Sequence, residues 1–233
     1  MTYLVLAGIC LGLELIFVPL FIKAGWPEKN KKSLVLKMIC STLFIAFALL
    51  AVGYKGEFSK YSLLIIVGLF FGFLGDFFLH VNPKPIFFAA GLYSFLCGHI
   101  FYTIAFSLEL EPGRMFSTAQ ITAFILIVAC IVLVAVVKKI NPGKATVHVS
   151  LYMGVIVLML IKRCALGFRL LQSGKAVPGV IIVLGGALFV VSDAILGIIL
   201  FMKDKNSLPL KAVNLISYYA AQLLIGGSIF FLG

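Results

Sequence analysis

Asp76 and Asp193 are acids in stretches otherwise apolar enough to sit in lipid: Gly68-Leu-Phe-Phe-Gly-Phe-Leu-Gly-Asp-Phe-Phe-Leu-His80, and the run from Gly185 to Gly197. A charged side chain at the bilayer centre costs at least ~3 kcal/mol on insertion scales, so structure or function must offset it. Their contexts match, because Gly75-Asp76-Phe-Phe-Leu79 and Ser192-Asp193-Ala-Ile-Leu196 set a small residue, the acid and a leucine at equal offsets. Taken singly, each carboxyl is as readily a structural clamp that accepts hydrogen bonds from neighbouring helices. Two with matching context point to one shared site. Neighbouring buried carboxyls split their titrations, so that one holds a proton while the other is ionised, the condition for an acid and base pair.

Other polar residues fall in the same apolar segments. Glu14, Lys37, Tyr218, Tyr219 and Gln222 are expected at similar depth, whereas His99 lies nearer mid-membrane with Tyr102 on its face at i+3. His80 and His148 adjoin connections and are expected at the interface, His148 as a headgroup contact beside Lys144. No His-Glu-x-x-His or comparable ligand spacing is present, and neither a metal nor a cofactor is expected. Ser94, Ser192 and Ser228 lack the Gly-x-Ser-x-Gly context of a serine hydrolase. The five cysteines lie within apolar segments without Cys-x-x-Cys spacing, which argues against a disulfide framework or a zinc knuckle.

The elements that must position these residues are membrane helices. With 63% hydrophobic and 12% charged residues, the chain has too little polar surface to cover a water-soluble globule. The net charge of +11 sits mainly in short gaps between apolar runs, which reads as membrane topology and not as a nucleic-acid surface. A span of about 20 apolar residues divides the chain into eight helices, near 2–22, 33–53, 61–80, 86–107, 116–137, 147–171, 176–202 and 209–232. The first is expected to be a retained helix and not a signal peptide. Each gap is short and punctuated by Gly, Pro or Asn, so one all-α bundle of eight transmembrane helices over residues 1–233 is expected.

Lysines concentrate in the odd gaps (Lys23, Lys29, Lys31, Lys32, Lys84, Lys138, Lys139, Lys144, Lys203, Lys205), while Lys55, Lys60, Arg114 and Lys175 in the even gaps are diluted by Glu57, Glu109 and Glu111. Odd gaps are therefore expected in the cytoplasm and both termini on the other side of the cell membrane. The sixth helix carries Lys162, Arg163 and Arg169 toward its outer end, where they are expected to snorkel to phosphates. Gly68, Gly72 and Gly75 on the third helix, and Gly185, Gly186 and Gly197 on the seventh, mark faces for close helix approach. The two Asp motifs lie four helices apart, a hint of a four-plus-four duplication.

Four ordered motifs carry a family resemblance: Gly72-Phe-Leu-Gly-Asp76-Phe-Phe-Leu79, Gly91-Leu-Tyr-Ser-Phe-Leu-Cys-Gly-His99-Ile-Phe-Tyr102-Thr-Ile-Ala-Phe106, Gly186-Ala-Leu-Phe-Val-Val-Ser-Asp193-Ala-Ile-Leu196 and Tyr218-Tyr219-Ala-Ala-Gln222-Leu-Leu-Ile225. The chain resembles the YhhN family of membrane proteins, which includes the animal transmembrane lysoplasmalogenases. It departs from the family pattern at Met38, where many bacterial members have proline, and at His80.

The resemblance implies an eight-helix hydrolase that cleaves the vinyl ether of lysoplasmalogens to a fatty aldehyde and a glycerophospho-headgroup. Such a reaction needs a positioned acid and a nearby anion. Asp76 and Asp193 would supply them, with no assignment of which is the acid. His99, Tyr219 and Gln222 would orient the pair or the water, with Glu14, Tyr102 and Tyr218 as further candidates. Lys37, Asn82 and Lys84 would hold the headgroup phosphate. The partners expected are a lysophospholipid and membrane lipid, not nucleic acid. The competing class is a transporter or lipid-binding membrane protein that uses the two acids as a proton or cation site.

Overall fold

A computed structural model describes residues 1–111, 117–137, 140, 142–202 and 205–233, the side chain of Lys144 excepted. Arg114, Lys138, Lys139, Lys203 and the side chain of Lys144, all counted above toward orientation, lie outside the described residues. The helices are α1 (Thr2–Ala24), α2 (Lys31–Lys55), α3 (Lys60–Val81), α4 (Pro85–Leu108), α5 (Thr118–Val137), α6 (Thr146–Gln172), α7 (Ala176–Phe201) and α8 (Leu208–Gly227), followed by a 3-10 turn at Ser228–Phe230. All eight spans are long and apolar enough to cross a membrane, and no strand occurs among the described residues. The protein is an all-α, multi-pass membrane protein.

Local chemistry sets the helix ends. Asn30 opens α2 through a capping box with Ser33, Ser59 accepts from the Ser62 amide at the start of α3, and Pro85 begins α4, where its missing N–H costs nothing. Gly56 closes α2 in the left-handed region, at φ 75°.

Six helices close a ring, in the order α2, α3, α4, α6, α7, α8 and back to α2. Both Asp-bearing helices belong to it. α1 lies against α2 and α8, whereas α5 touches only α6 among the described residues and buries no side chain. Adjacency thus repeats every four helices around the ring; outside it α1 packs on α2 as α5 packs on α6, but α1 also meets α8, whereas among the described residues α5 does not meet α4. The connection after α1 meets the end of α3 through Lys29 and the start of α8 through Lys211, so the first, third and seventh connections share one end of the bundle. At the other end Lys55 reaches the carbonyls of Leu232 and Gly233, and Arg169 bonds the Glu109 carbonyl and the Glu111 carboxylate.

Several side chains turn inward where outward placement was expected. Lys162 and Arg163 do not snorkel: both are buried. Gly185 and Gly186 leave a notch on α7 into which the Arg163 side chain fits, its Nε donates to the Ile182 carbonyl at 2.9 Å, and its guanidinium lies 4.7 Å from the Phe106 ring centre. Lys162 Nζ donates to Gln120 Oε1 of α5 at 2.9 Å. His80 is buried and bonded to Ser33 Oγ at 2.9 Å, and the His148 ring packs against Tyr93.

Candidate functional site

Near the end that carries Lys29 and Lys211, a cavity of about 440 Å³ opens between α1, α2, α3, α4, α7 and α8. Asp76 and Asp193 both line it, together with Lys29, Lys37, His80, Lys211 and a wall of leucine, isoleucine and phenylalanine side chains. α3 presents Asp76 about one turn before its C-terminal end, and α7 presents Asp193 about two turns before its own. Ring closure brings these helices to one space although the two residues are far apart in sequence.

The two carboxyls differ in their partners. Asp76 Oδ1 pairs with Lys37 Nζ at 2.9 Å, while Oδ2 accepts from Ser41 Oγ at 2.6 Å and from Tyr218 OH at 2.9 Å. Lys37 and Ser41 are one turn apart on α2, so one face of that helix delivers both donors. Behind Tyr218 the chain of bonds continues: Gln222 Nε2 donates to the Tyr218 oxygen at 3.0 Å, and Tyr102 OH donates to Gln222 Oε1 at 2.8 Å. Gly72 makes room for this amide, since a Cβ there would stand 2.6 Å from Gln222 Nε2.

Asp193 has a single hydroxyl donor. Its Oδ2 accepts from Tyr152 OH at 2.9 Å, and its Oδ1 has no hydrogen bond to the described residues. His99 Nε2 lies 3.2 Å from the Tyr152 phenol oxygen, and His99 Nδ1 lies 3.2 Å from Met159 Sδ. His99 Nε2 is 3.8 Å from Asp193, and its ring is held edge-on against Phe189 at 4.5 Å. Asn214 Nδ2 bonds the carbonyl and hydroxyl of Ser192 at 2.7 and 3.0 Å, tying α8 to α7 beside Asp193.

This constellation of Asp76 with Tyr218 and Gln222, and of Asp193 with His99, occurs in a chain whose sequence matches a known family. The chain belongs to the YhhN family. The match covers residues 32–229 and so takes in every helix except α1. No curated protein and no solved structure matches.

In this YhhN protein the remaining candidates fall into three groups. Asp76, Asp193, Lys37, Asn82 and Tyr218 line the cavity. Gln222 and His99 lie behind it, one bond away from tyrosines bonded to the acids, and Tyr102 lies one bond further back, on Gln222. Tyr219, packed on Phe21 and Tyr218, and Glu14, buried on α1 with neither oxygen hydrogen-bonded, are outside the cavity wall; Lys84 is an exposed residue at the start of α4.

Sequence reasoning missed Ser41 and Tyr152. Ser41 was findable as the residue one helical turn beyond Lys37. Tyr152 had no such signal, because only the packing of α6 on α4 and α7 brings its hydroxyl between His99 and Asp193.

Proposed function

We propose that this protein is a lysoplasmalogenase-like hydrolase that cleaves the vinyl ether of a lysoplasmalogen by acid catalysis in the cavity. The observation that carries this reading is the inequality of two acids on one cavity wall. Asp76 has a cation and two hydroxyls directed at it and serves as the ionised group. Asp193 has no lysine or arginine paired with it among the described residues and only one hydroxyl donor, so a proton on its free Oδ1 avoids an uncompensated buried charge.

In the reaction, Asp193 gives that proton to the β carbon of the enol ether, turning the double bond into an oxocarbenium ion. The Asp193 carboxylate left behind faces the cation and stabilises it. Water, oriented by Asp76, adds to the cationic carbon, and its released proton restores Asp193. The hemiacetal then collapses to a fatty aldehyde and the glycerophospho-headgroup alcohol. Lys37, Ser41 and Tyr218 hold Asp76 in place, and the His99 to Tyr152 chain does so for Asp193. The alkenyl tail lies along the apolar wall. The density of lysines at the cavity end supports a mouth on the cytoplasmic face of the cell membrane, with both termini opposite.

The test is aldehyde release by the purified protein given a lysoplasmalogen. Wild type should produce aldehyde, and Asp76→Asn and Asp193→Asn should each lose on the order of 10² or more in rate if folded. Equal aldehyde from all three removes the acid pair from the mechanism. Substrate moved across a vesicle unchanged, with no aldehyde, makes the protein a carrier.

A further inference from the structure

Lys37 is committed to Asp76 and buried, which leaves the cavity mouth to two other lysines. Lys29 Nζ donates to the Leu79 carbonyl at 2.8 Å, in the last turn of α3, and Lys211 Nζ donates to the carbonyl of Gly25, just past α1. Each ammonium is anchored by one of its three donors at the negative end of a helix and keeps the others for a ligand. Neither forms an ion pair with the described residues, and both line the cavity with Lys37. Of these three lysines bordering one space, only Lys37 is neutralised by a carboxylate among the described residues.

Asn82 adds a neutral donor at the same mouth. Its Oδ1 accepts from the Lys84 amide at 3.0 Å, so its Nδ2 remains available. Leu79, Phe88, Leu196, Ile199 and Leu200 make the rest of the wall apolar. The cavity therefore fits an amphiphile whose anionic end stays at the rim.

We propose that Lys29, Lys211 and Asn82 form a subsite for the phosphate ester of a lysophospholipid whose chain enters the cavity. This inference rests on the hydrolase reading for the orientation of the substrate, but binding itself does not require turnover. An anion between the two ammoniums replaces mutual repulsion with two charge-assisted hydrogen bonds. Loss of hydration, followed by the charges of Lys37 and Lys211, pulls the Lys29 pKa from 10.5 to about 8.

Trp26 is the sole tryptophan, and Lys211 Nζ lies 5.6 Å from its ring centre, so a ligand that engages Lys211 alters its fluorescence. The full-length protein in a neutral detergent would be titrated with lysophosphatidylcholine, which has an ester in place of the vinyl ether, and in parallel with monoacylglycerol and with inorganic phosphate. The expected result is a saturable change with lysophosphatidylcholine and roughly tenfold or weaker binding of the other two. By calorimetry, Lys29→Gln and Lys211→Gln should each weaken lysophosphatidylcholine about tenfold while leaving monoacylglycerol unchanged, and Lys29→Arg should retain affinity.

Equal binding of monoacylglycerol, or unchanged affinity in both glutamine variants, overturns the subsite even if aldehyde is released. Inorganic phosphate binding as tightly as the lipid overturns the lipid as its source. Phosphate-dependent lipid binding without aldehyde supports the subsite and removes only the hydrolase reading.

Discussion

Asp76 and Asp193 bear the same functional group, and their neighbours set them in different surroundings. The Lys37–Asp76 pair is buried on both sides, so removing one member leaves a bare charge in a poorly hydrated space. Lys37→Met should cost about 3–5 kcal/mol in unfolding free energy. Lys37→Met combined with Asp76→Asn, which removes both charges, should recover most of that loss in a denaturant or thermal melt in detergent, while aldehyde release stays absent. A double variant no more stable than Lys37→Met alone would show that the pair does not matter through charge. The subsite makes its own prediction at this scale. The Lys29 pKa of about 8 lies below 10.5, its ordinary value, so between those pH values the unfolded chain carries a proton that the folded protein lacks. This group's contribution to stability therefore rises with pH across that window. Anion binding needs the proton and moves the opposite way: lysophosphatidylcholine affinity should fall as pH rises through about 8. The titratable groups around Lys29 are Lys37, Lys211 and His80, so Lys29→Gln is the control, and its affinity should fall less than that of wild type between pH 7 and 9.

At the scale of helices, the ring and the two outer helices differ in what they bury. Ile225 on α8 is 0% exposed, whereas Ile125 on α5 is 60% exposed. Association in lipid depends on close packing more than on escape from water, so the cost of truncation follows contact. Ile225→Ala should destabilise by about 2 kcal/mol or more, and Ile125→Ala should stay within roughly 0.5 kcal/mol. Unfolding in detergent measures both; equal losses would mean that α5 is packed as tightly as the ring. The helices also show how glycines act here. Gly72 and Gly185 were expected to bring backbones together, and each instead leaves a notch for a polar side chain, Gln222 in one case and Arg163 in the other.

For the whole molecule, the prediction concerns orientation. Cysteines introduced near Lys31 should be labelled by an impermeant reagent only from the cytoplasmic side, and cysteines near Glu57 only from the other. Labelling of the Lys31 site from outside would invert the bundle and move the cavity mouth to the opposite face. The sequence by itself determined eight spans, because a 20-residue apolar run bounded by Gly, Pro and Asn has few alternatives to crossing a bilayer. It also exposed Asp76, Asp193 and Lys37, since polar groups are conspicuous against lipid. Their pairing was not legible there: a helix fixes only its own i+3 and i+4 neighbours, and Lys37, Asp76 and Tyr218 come from three helices whose adjacency depends on closure of the ring. The inward turn of Arg163 is equally tertiary, because on α6 alone nothing distinguishes a cation that reaches for headgroups from one that enters a notch on α7. Tertiary structure likewise decided that Lys29 and Lys211, not Lys37, line the cavity without an ion pair among the described residues, because only folding sets Lys37 against the Asp76 carboxylate.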